Sequence, residues 1–253
     1  ITQTPLNEQD LKTMSEAVEV LRQFKGFSYF TEMSDIINRL EDHVASARMK
    51  TTPVIDFEKN ESLKGLDYLD TIYHAIVNEH PIQLKYRSFK ARSANSFIFY
   101  PYLLKEYRNR WFVYGVRGNG RILQNLALDR IQSLEVLPQE HYIKNTFFDP
   151  NTFFDDLVGV TKNTGSVAEK VGFKVAAAEA PYIITKPIHR SQQVMERLAD
   201  GSVILEIEVV INHELERVFF GYAEGIQVLY PKTLVELMGR KLKKAAEQYT
   251  HSK

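Results

Sequence analysis

The chain has 253 residues, of which 44% are hydrophobic and 25% charged, so it is long enough for two domains and too apolar to be wholly disordered. No apolar run reaches the roughly 18 residues of a membrane helix, and the absence of cysteine excludes disulfides, thiolate metal sites and cysteine nucleophiles. The 32 basic and 32 acidic residues cancel, which makes the distribution of charge along the chain more informative than its total.

The first fifty residues predict two amphipathic helices, which we assign to a helical connector over residues 1–62. Apolar residues recur at three- and four-residue spacing from Leu11 to Leu21 and again from Ile36 to Val44. A connector this short cannot bury both stripes within itself, so we expect them to pack on the next domain or on a second copy in a homodimer. The chain opens with Ile1 and lacks a secretory leader, and we therefore expect a piece of a longer cytoplasmic protein.

Residues 63–140 predict a small β-barrel packed by one helix. A helix over Leu66–Glu79 precedes a series of runs in which apolar and polar residues alternate, the pattern of half-buried strands. The predicted strands are Ile82–Arg87, Ser96–Tyr100, Tyr102–Tyr107, Arg110–Val116 and Ile122–Leu128, with Arg130–Leu137 as a candidate continuation. Asn119-Gly120 predicts a tight hairpin between two of them. Short strands joined by tight turns are typical of a small barrel.

The C-terminal part predicts a linker over residues 141–169, rich in phenylalanine, and a ferredoxin-like domain over residues 170–253. The predicted order is strand, helix, strand, strand, helix, strand, followed by a last amphipathic helix. These elements are Val171–Ala177, Glu179–Thr185, Gln192–Leu198, Val203–Ile211, His213–Ala223, Ile226–Tyr230 and Lys232–Tyr249. The predicted fold class is therefore α+β.

Positive charge concentrates in the predicted barrel. Residues 1–62 hold seven Lys/Arg and eleven Asp/Glu, whereas residues 63–140 hold eleven and seven. Between Lys85 and Arg130 there are ten basic residues and only two acidic ones, which favours an anionic partner. The alternative is a basic face that is solvated or paired with the acidic N-terminal block.

Basic and aromatic residues occur together on the strand that starts at Arg110. Arginine supplies charge-assisted hydrogen bonds to phosphates, and flat rings offer stacking surfaces to bases. Strand alternation places Trp111 and Val113 on one face and Arg110 and Phe112 on the other. Trp111, the only tryptophan, is by itself more typical of a core residue than of a ligand contact.

Catalytic motifs are not found in the sequence. The seven histidines have no metal-ligand spacing, and neither a Gly-x-Ser-x-Gly turn nor a phosphate-binding loop that ends in Gly-Lys-Ser/Thr occurs. We expect Asp149, Asp155 and Asp156 to cap turns and not to bind a metal. The prediction is a protein that is not an enzyme and has no metal or cofactor.

Four short motifs in the predicted barrel, taken in order, resemble a WYL domain, and the C-terminal part is similar to the extension that accompanies it. The motifs are Tyr86-Arg87-Ser88, Pro101, Arg110-Trp111-Phe112-Val113 and Leu128-Asp129-Arg130-Ile131, within the run Leu69–Leu137. In the extension they are His189-Arg190-Ser191-Gln192, Asp200-Gly201, Glu214-Leu215 and Val228-Leu229-Tyr230-Pro231. Together the two resemblances cover roughly residues 65–250.

The resemblance implies a bacterial transcription regulator in which an Sm/SH3-like barrel senses a ligand that is often a nucleotide or nucleic acid. The usual winged helix-turn-helix is not within this sequence, so promoter DNA would bind a domain beyond it. The predicted ligand-binding residues are Tyr86, Arg87, Arg110, Trp111, Arg121, Gln124 and Arg130. Gln124 stands where the family usually has arginine, and Arg121 is the nearest substitute.

We therefore predict the ligand-sensing and dimerising part of a regulator that binds an anionic effector, a nucleotide or single-stranded nucleic acid, on the basic aromatic face of the barrel. The alternative is a nucleic-acid-binding accessory module without a DNA-reading domain of its own. An enzyme that acts on nucleotides is the least favoured hypothesis. No membrane partner is expected.

Overall fold

A computed structural model describes residues 64–118, 120 and 122–250. The helices predicted before residue 62, the hairpin residue Asn119 and the predicted site residue Arg121 lie outside the described residues. The chain divides into two compact units, one that ends at Asn145 and one that starts at Thr146. Helices combine with two antiparallel sheets, which confirms the α+β fold class. The finer barrel and ferredoxin-like assignments stay predictions.

In the described residues of the first unit, from residue 64 onward, a five-stranded antiparallel sheet packs with one α-helix. A 3₁₀ turn (Leu66–Tyr68) leads into helix α1 (Leu69–Val77). The strands are β1 (Ile82–Tyr86), β2 (Asn95–Tyr107), β3 (Arg110–Arg117), β4 (Leu123–Ala127) and β5 (Ile131–Val136). Their order across the sheet is β4-β3-β2-β1-β5, so β1 pairs with both its sequence neighbour and the last strand.

One strand prediction in this unit is wrong. Residues 95–107 form one strand and not two, because the pairing of β2 with β3 shifts register between Pro101 and Leu103 instead of ending there. A bulge tolerates the missing N–H of proline, so the strand continues. The candidate run Arg130–Leu137 does contain a strand, β5, which a 3₁₀ turn, Leu128–Arg130, separates from β4.

The core of the first unit explains why these elements form. Leu69 and Ile72 of α1, Leu84 of β1 and Phe99 of β2 are fully buried in one cluster. The buried positions of the helix are three residues apart, and those of the strands alternate. The apolar face of the helix therefore packs on the apolar face of the sheet. Trp111 packs against the same cluster.

The second unit is a four-stranded antiparallel sheet with three helices. The strands are β6 (Glu169–Val175), β7 (Gln193–Arg197), β8 (Val203–Val209) and β9 (Ile226–Tyr230), in the order β7-β8-β6-β9. The helices are α2 (Ala180–Thr185), α3 (His213–Gly221) and α4 (Lys232–Thr250). The element order is the one predicted, and alternate residues of β6 and β8 enter the core. No helix among the described residues is both long and apolar enough to cross a membrane.

Residues 155–162, within the segment predicted as a linker, form part of the second unit. Leu157, Val158 and Val160 are buried. The amide of Asn212 donates to the carbonyls of Val158 and Thr161, at 3.0 and 2.9 Å, while its oxygen caps α3 by accepting from the Leu215 N–H. One buried side chain therefore holds both the segment and the start of a helix. We refer to residues 155–162 as the strap.

Candidate anion-binding site

The 3₁₀ turn Leu128–Arg130 brings charged residues to the end of β1. Leu128 is buried in the core and anchors the turn, and the N–H of Arg87 donates to the carbonyl of Arg130 at 3.1 Å. Gly65, with φ of +84°, backs the turn so closely that a Cβ there would lie 2.4 Å from the Leu128 carbonyl carbon. Only glycine permits this approach and this backbone conformation together.

Asp129 lies between two arginines. Its Oδ2 is 3.4 Å from Nε of Arg110, and its Oδ1 is 3.9 Å from Nε of Arg130. The carboxylate side chain is 14% exposed, whereas the side chains of Arg110 and Arg130 are 45% and 27% exposed. Both ion pairs are made by the Nε atom of the arginine. Asp129 therefore orients two cations without covering them.

Arg130 is also held by aromatic residues. Its guanidinium carbon lies 4.5 Å from the centre of the Phe89 ring, a cation–π contact. The Tyr86 hydroxyl also interacts with the Arg130 side chain. Burial raises the pKa of Tyr86, although Arg130 and the Ala127 backbone N–H act in the opposite direction. Tyr86 is thus a neutral group that packs on the core and supports the arginine.

These residues border an open cavity of about 290 Å³. It is lined by Arg87, Ser88, Phe89, Asp129, Arg130, Ile131 and Gln132. Two arginines against one aspartate give the lining a positive excess, and Arg110 adds a third cation through its pairing with Asp129. Guanidinium groups recognise phosphate and carboxylate oxygens, so the arrangement is suited to an anionic ligand.

The structure brings together some of the predicted site residues and separates others. Arg87 and Arg130 line the cavity, Arg110 pairs with the lining residue Asp129, and Tyr86 interacts with Arg130. Trp111 packs on the core, and Gln124 pairs with Gly115, three register positions along β4 from Ala127. Sequence reasoning did not propose Phe89, Asp129 or Gly65 for the site, although the motif Leu128-Asp129-Arg130-Ile131 already contained Asp129.

A second cavity, of about 460 Å³, lies in the second unit. Its lining is Asp155, Asp156, Ala168, Arg190, Ser191 and Glu208. Arg190 pairs with Asp155 at 2.6 Å, and Lys162 contacts both oxygens of Asp156 at 2.8 Å. Each of these two carboxylates has its own cation, so the cavity carries no positive excess.

His189 and Ser191 border this second cavity but are occupied with structural contacts. The Ser191 hydroxyl is 2.7 Å from Nδ1 of His189 and accepts from the Glu208 N–H at 2.8 Å. Burial lowers the pKa of His189, and Arg190 lowers it further. The hydroxyl oxygen thus joins β8 to the imidazole and is not presented as a nucleophile.

The three loop aspartates contact turns and lysine or arginine side chains. Asp149 accepts from the backbone N–H of Asn151 at 2.9 Å, while Asp155 and Asp156 form the ion pairs described above. Across residues 64–118, 120 and 122–250, no group of three or more His, Asp or Glu side chains could hold a metal ion.

Comparison with protein-family models finds two matches, the WYL domain over residues 67–136 and the WCX domain over residues 168–246. Proteasome accessory factor B/C (PafBC) of Arthrobacter aurescens is a structural neighbour with 16% sequence identity and a TM-score of 0.35, covering 92% of this chain. The chain spans only 34% of the PafBC structure. A CRISPR Cas-related protein is similar with 9% identity and a TM-score of 0.47, covering 99% of this chain and 88% of its own. No curated protein matches by sequence.

Proposed function

Because this chain belongs to the proteins that join a WYL domain to a WCX domain, we propose that it is the effector-sensing part of a bacterial transcription regulator. The effector is an anion, a nucleotide or a single-stranded nucleic acid. One observation carries the proposal: Arg87 and Arg130 line one cavity whose single carboxylate, Asp129, also pairs with Arg110.

The dimensions of the cavity support a small anionic group. About 290 Å³ lies at the low end of sites for small molecules, so the cavity suits one nucleotide-sized group at a time and not a duplex. Because the cavity is open, a single-stranded nucleic acid could extend beyond it over the exposed side chains of Lys90 and Arg92. Arginines that are already oriented by Asp129 lose little conformational freedom when a phosphate binds.

The proposed mechanism has two states. An effector that binds one arrangement of the subunits of a homodimer more tightly shifts the population toward it, and a few kcal/mol of differential affinity is a typical coupling. The shift would change the spacing of DNA-reading domains that lie beyond this sequence. Within this proposal residues 1–62 are the connector, residues 63–140 the sensor and residues 170–253 the extension, while the segment 141–169, predicted as a linker, contains the strap that packs on the extension. The regulator would act in the cytoplasm.

The test is a titration of a fluorescently labelled single-stranded oligonucleotide with the parent protein and with Arg130→Ala and Arg110→Ala. A charge-assisted hydrogen bond to phosphate contributes roughly 1.5–3 kcal/mol, so each substitution should weaken binding on the order of ten- to a hundredfold. Arg197→Ala, at an exposed arginine of the second unit, is the matched control and should bind like the parent.

Equal binding by the parent and both site variants would contradict the proposal. The alternative, an accessory module without a promoter of its own, makes the same binding prediction but a different one for regulation. A regulator changes transcription from a target promoter when the effector is added to the longer protein, and loses that response with Arg130→Ala. An accessory module binds the oligonucleotide without any such response.

A further inference from the structure

Phe89 stands out at the rim of the anion-binding site. Its side chain is 73% exposed, the highest exposed fraction among the large hydrophobic residues of the first unit that the structure describes. Single exposed apolar residues are common and need no explanation by themselves. Phe89 differs because it lines the cavity and lies against the Arg130 guanidinium, 4.5 Å from the centre of its ring.

We propose that Phe89 is a stacking platform for a nucleobase, so that the effector carries an unpaired base and not only a phosphate or carboxylate. This inference rests on the proposed function and names the ligand class of the same site. The arginines would hold the phosphate while the ring of Phe89 holds the base of the same or the next nucleotide.

The placement of Arg130 supports this role. One face of the Phe89 ring is covered by the guanidinium, whereas an exposed fraction of 73% leaves the opposite face to solvent. A base on that open face would complete a stack of base, ring and guanidinium. Such stacking is favourable for every base because each has a flat π-face, and the cation adds an attraction of its own.

The loop that carries Phe89 is held in place by its own hydrogen bonds. The Ala91 N–H donates to the Ser88 carbonyl at 3.0 Å, and Nε of Arg87 donates to the Ala91 carbonyl at 3.5 Å. The ring is therefore presented from a turn whose start is tied to β1. Lys90 and Arg92, which follow Phe89 in the chain, are exposed and add positive charge that a phosphate backbone would favour.

A simple anion gives Phe89 no function. Phosphate and carboxylate oxygens are bound by the guanidinium groups, and an apolar ring adds nothing to that contact. The competing explanation is that Phe89 only covers Arg130 and orients it. The two explanations differ in one respect: an orienting residue matters for any anion, whereas a stacking residue matters only when the ligand carries a base.

The experiment uses two probes of equal charge, a labelled single-stranded oligodeoxythymidine and an abasic phosphodiester chain with the same number of phosphates. The variants are Phe89→Ala and Phe89→Trp in the full chain. Phe89→Ala should weaken oligodeoxythymidine binding about ten- to a hundredfold and leave the abasic chain within about twofold of the parent. Phe89→Trp should retain oligodeoxythymidine binding, because a larger ring stacks at least as well. Tyr182→Ala, at a tyrosine of the second unit that is 69% exposed, is the matched control.

The outcomes separate this inference from the proposed function. Loss of both probes with Phe89→Ala would overturn stacking in favour of the orienting role. If the parent binds the two probes equally, or Phe89→Ala binds oligodeoxythymidine like the parent, stacking is overturned while the loss of both probes with Arg130→Ala still upholds the proposed function. If the parent binds neither probe, both proposals fail together.

Discussion

The cavity beside Asp129 and the cavity beside Arg190 are both lined by acidic residues and arginine but differ in how their charges are paired. In the second unit Arg190 pairs with Asp155 and Lys162 pairs with Asp156, and the lining holds a third carboxylate, Glu208. In the first unit a single carboxylate, Asp129, is shared by two arginines, while Arg87 contributes a third positive charge. Cavity size alone would favour the second cavity, at about 460 Å³ against 290 Å³.

This difference leads us to expect that the pairing of charges, and not the presence of arginine, decides which cavity binds an anion. A cation with its own carboxylate must lose that partner before it can bind a ligand, and the exchange gains little. A shared carboxylate keeps both arginines oriented and leaves a positive excess for the ligand. Four experiments test the differences between the two units.

The largest expected effect is that of Gly65→Ala. The new Cβ would lie 2.4 Å from the Leu128 carbonyl carbon in a backbone conformation that disfavours other residues, so the turn that carries Asp129 and Arg130 must move. We expect a loss of about 2–5 kcal/mol in the free energy of unfolding, measured by urea denaturation, together with loss of oligonucleotide binding.

Gly165→Ala is the matched control for this effect. Gly165 has a similar φ of +80°, but a Cβ there would have no atom within 4 Å. We expect only the backbone cost, about 1–2 kcal/mol, and unchanged binding. Equal effects of the two substitutions would show that the close approach of Gly65 to the turn does not position the site.

The second prediction concerns the strap. Asn212→Ala removes a helix cap and leaves the carbonyls of Val158 and Thr161 without their amide donor, so we expect the second unit to lose about 2–4 kcal/mol. Far-ultraviolet circular dichroism should report the loss, whereas fluorescence of Trp111, the only tryptophan and part of the first unit, should show an unchanged transition. Oligonucleotide binding should persist.

Asn151→Ala is the control for the strap, since Asn151 is exposed and bonds only to the nearby Asp149. A parallel shift of the Trp111 transition in Asn212→Ala would refute the prediction and show that the two units unfold together.

The third prediction is the salt dependence of binding. If three arginines neutralise three phosphates, the logarithm of the association constant should fall against the logarithm of salt concentration with a slope of about −2 on single strands. Arg130→Ala should reduce the steepness by about 0.7, while Arg190→Ala, whose guanidinium already pairs with Asp155, should leave it unchanged. Fluorescence anisotropy titrations over a salt series measure the slope. An equal reduction of the slope in both variants would contradict the expected difference between the two cavities.

The smallest expected effect is an opposite pH response of the two units. Burial lowers the pKa of His189, so its folded form resists protonation and the second unit should lose stability as pH falls below about 6.5, the ordinary pKa of histidine. Burial raises the pKa of Tyr102 to about 12, so the first unit should lose stability as pH rises from about 10 to 12, where only the unfolded tyrosine ionises.

His189→Asn and Tyr102→Phe remove the two titrating groups in turn. Urea midpoints measured across pH should become flatter on the acid side for the first variant and on the alkaline side for the second. A variant that keeps the parent's slope would show that its residue does not cause the pH response.

The local parts of the fold could be predicted from sequence because alternation and helical spacing are local signals. Ile226–Tyr230 was predicted to the residue, and the other strands of the second unit within about two residues at each end. The continuity of β2 could not be predicted, since proline ordinarily ends a strand and the register shift that accommodates Pro101 depends on β3. The pairing of β5 with β1 could not be predicted either, because the two strands lie more than forty residues apart in sequence.

The candidate site was predictable to the extent that it consists of arginines in recognisable motifs. Arg87, Arg110 and Arg130 could be found in this way, and strand alternation correctly placed Trp111 on the face of Val113, in the core. The contacts that arrange the site are non-local: Gly65 meets Leu128 across more than sixty residues, and Phe89 meets Arg130 across more than forty. Such contacts leave no periodic signal in the sequence.

The strap also bears on how such proteins could be shuffled in evolution. The WCX match begins at residue 168, yet the amide of Asn212 reaches back to the carbonyls of Val158 and Thr161, and Thr161 donates a hydrogen bond to the buried Glu214. A recombination breakpoint at residue 168 would separate Asn212 and Glu214 from the strap residues to which they are hydrogen-bonded. A breakpoint near Thr146 would transfer the strap together with the second unit. Natural recombinants that exchange the WCX domain should therefore have their breakpoints upstream of residue 168.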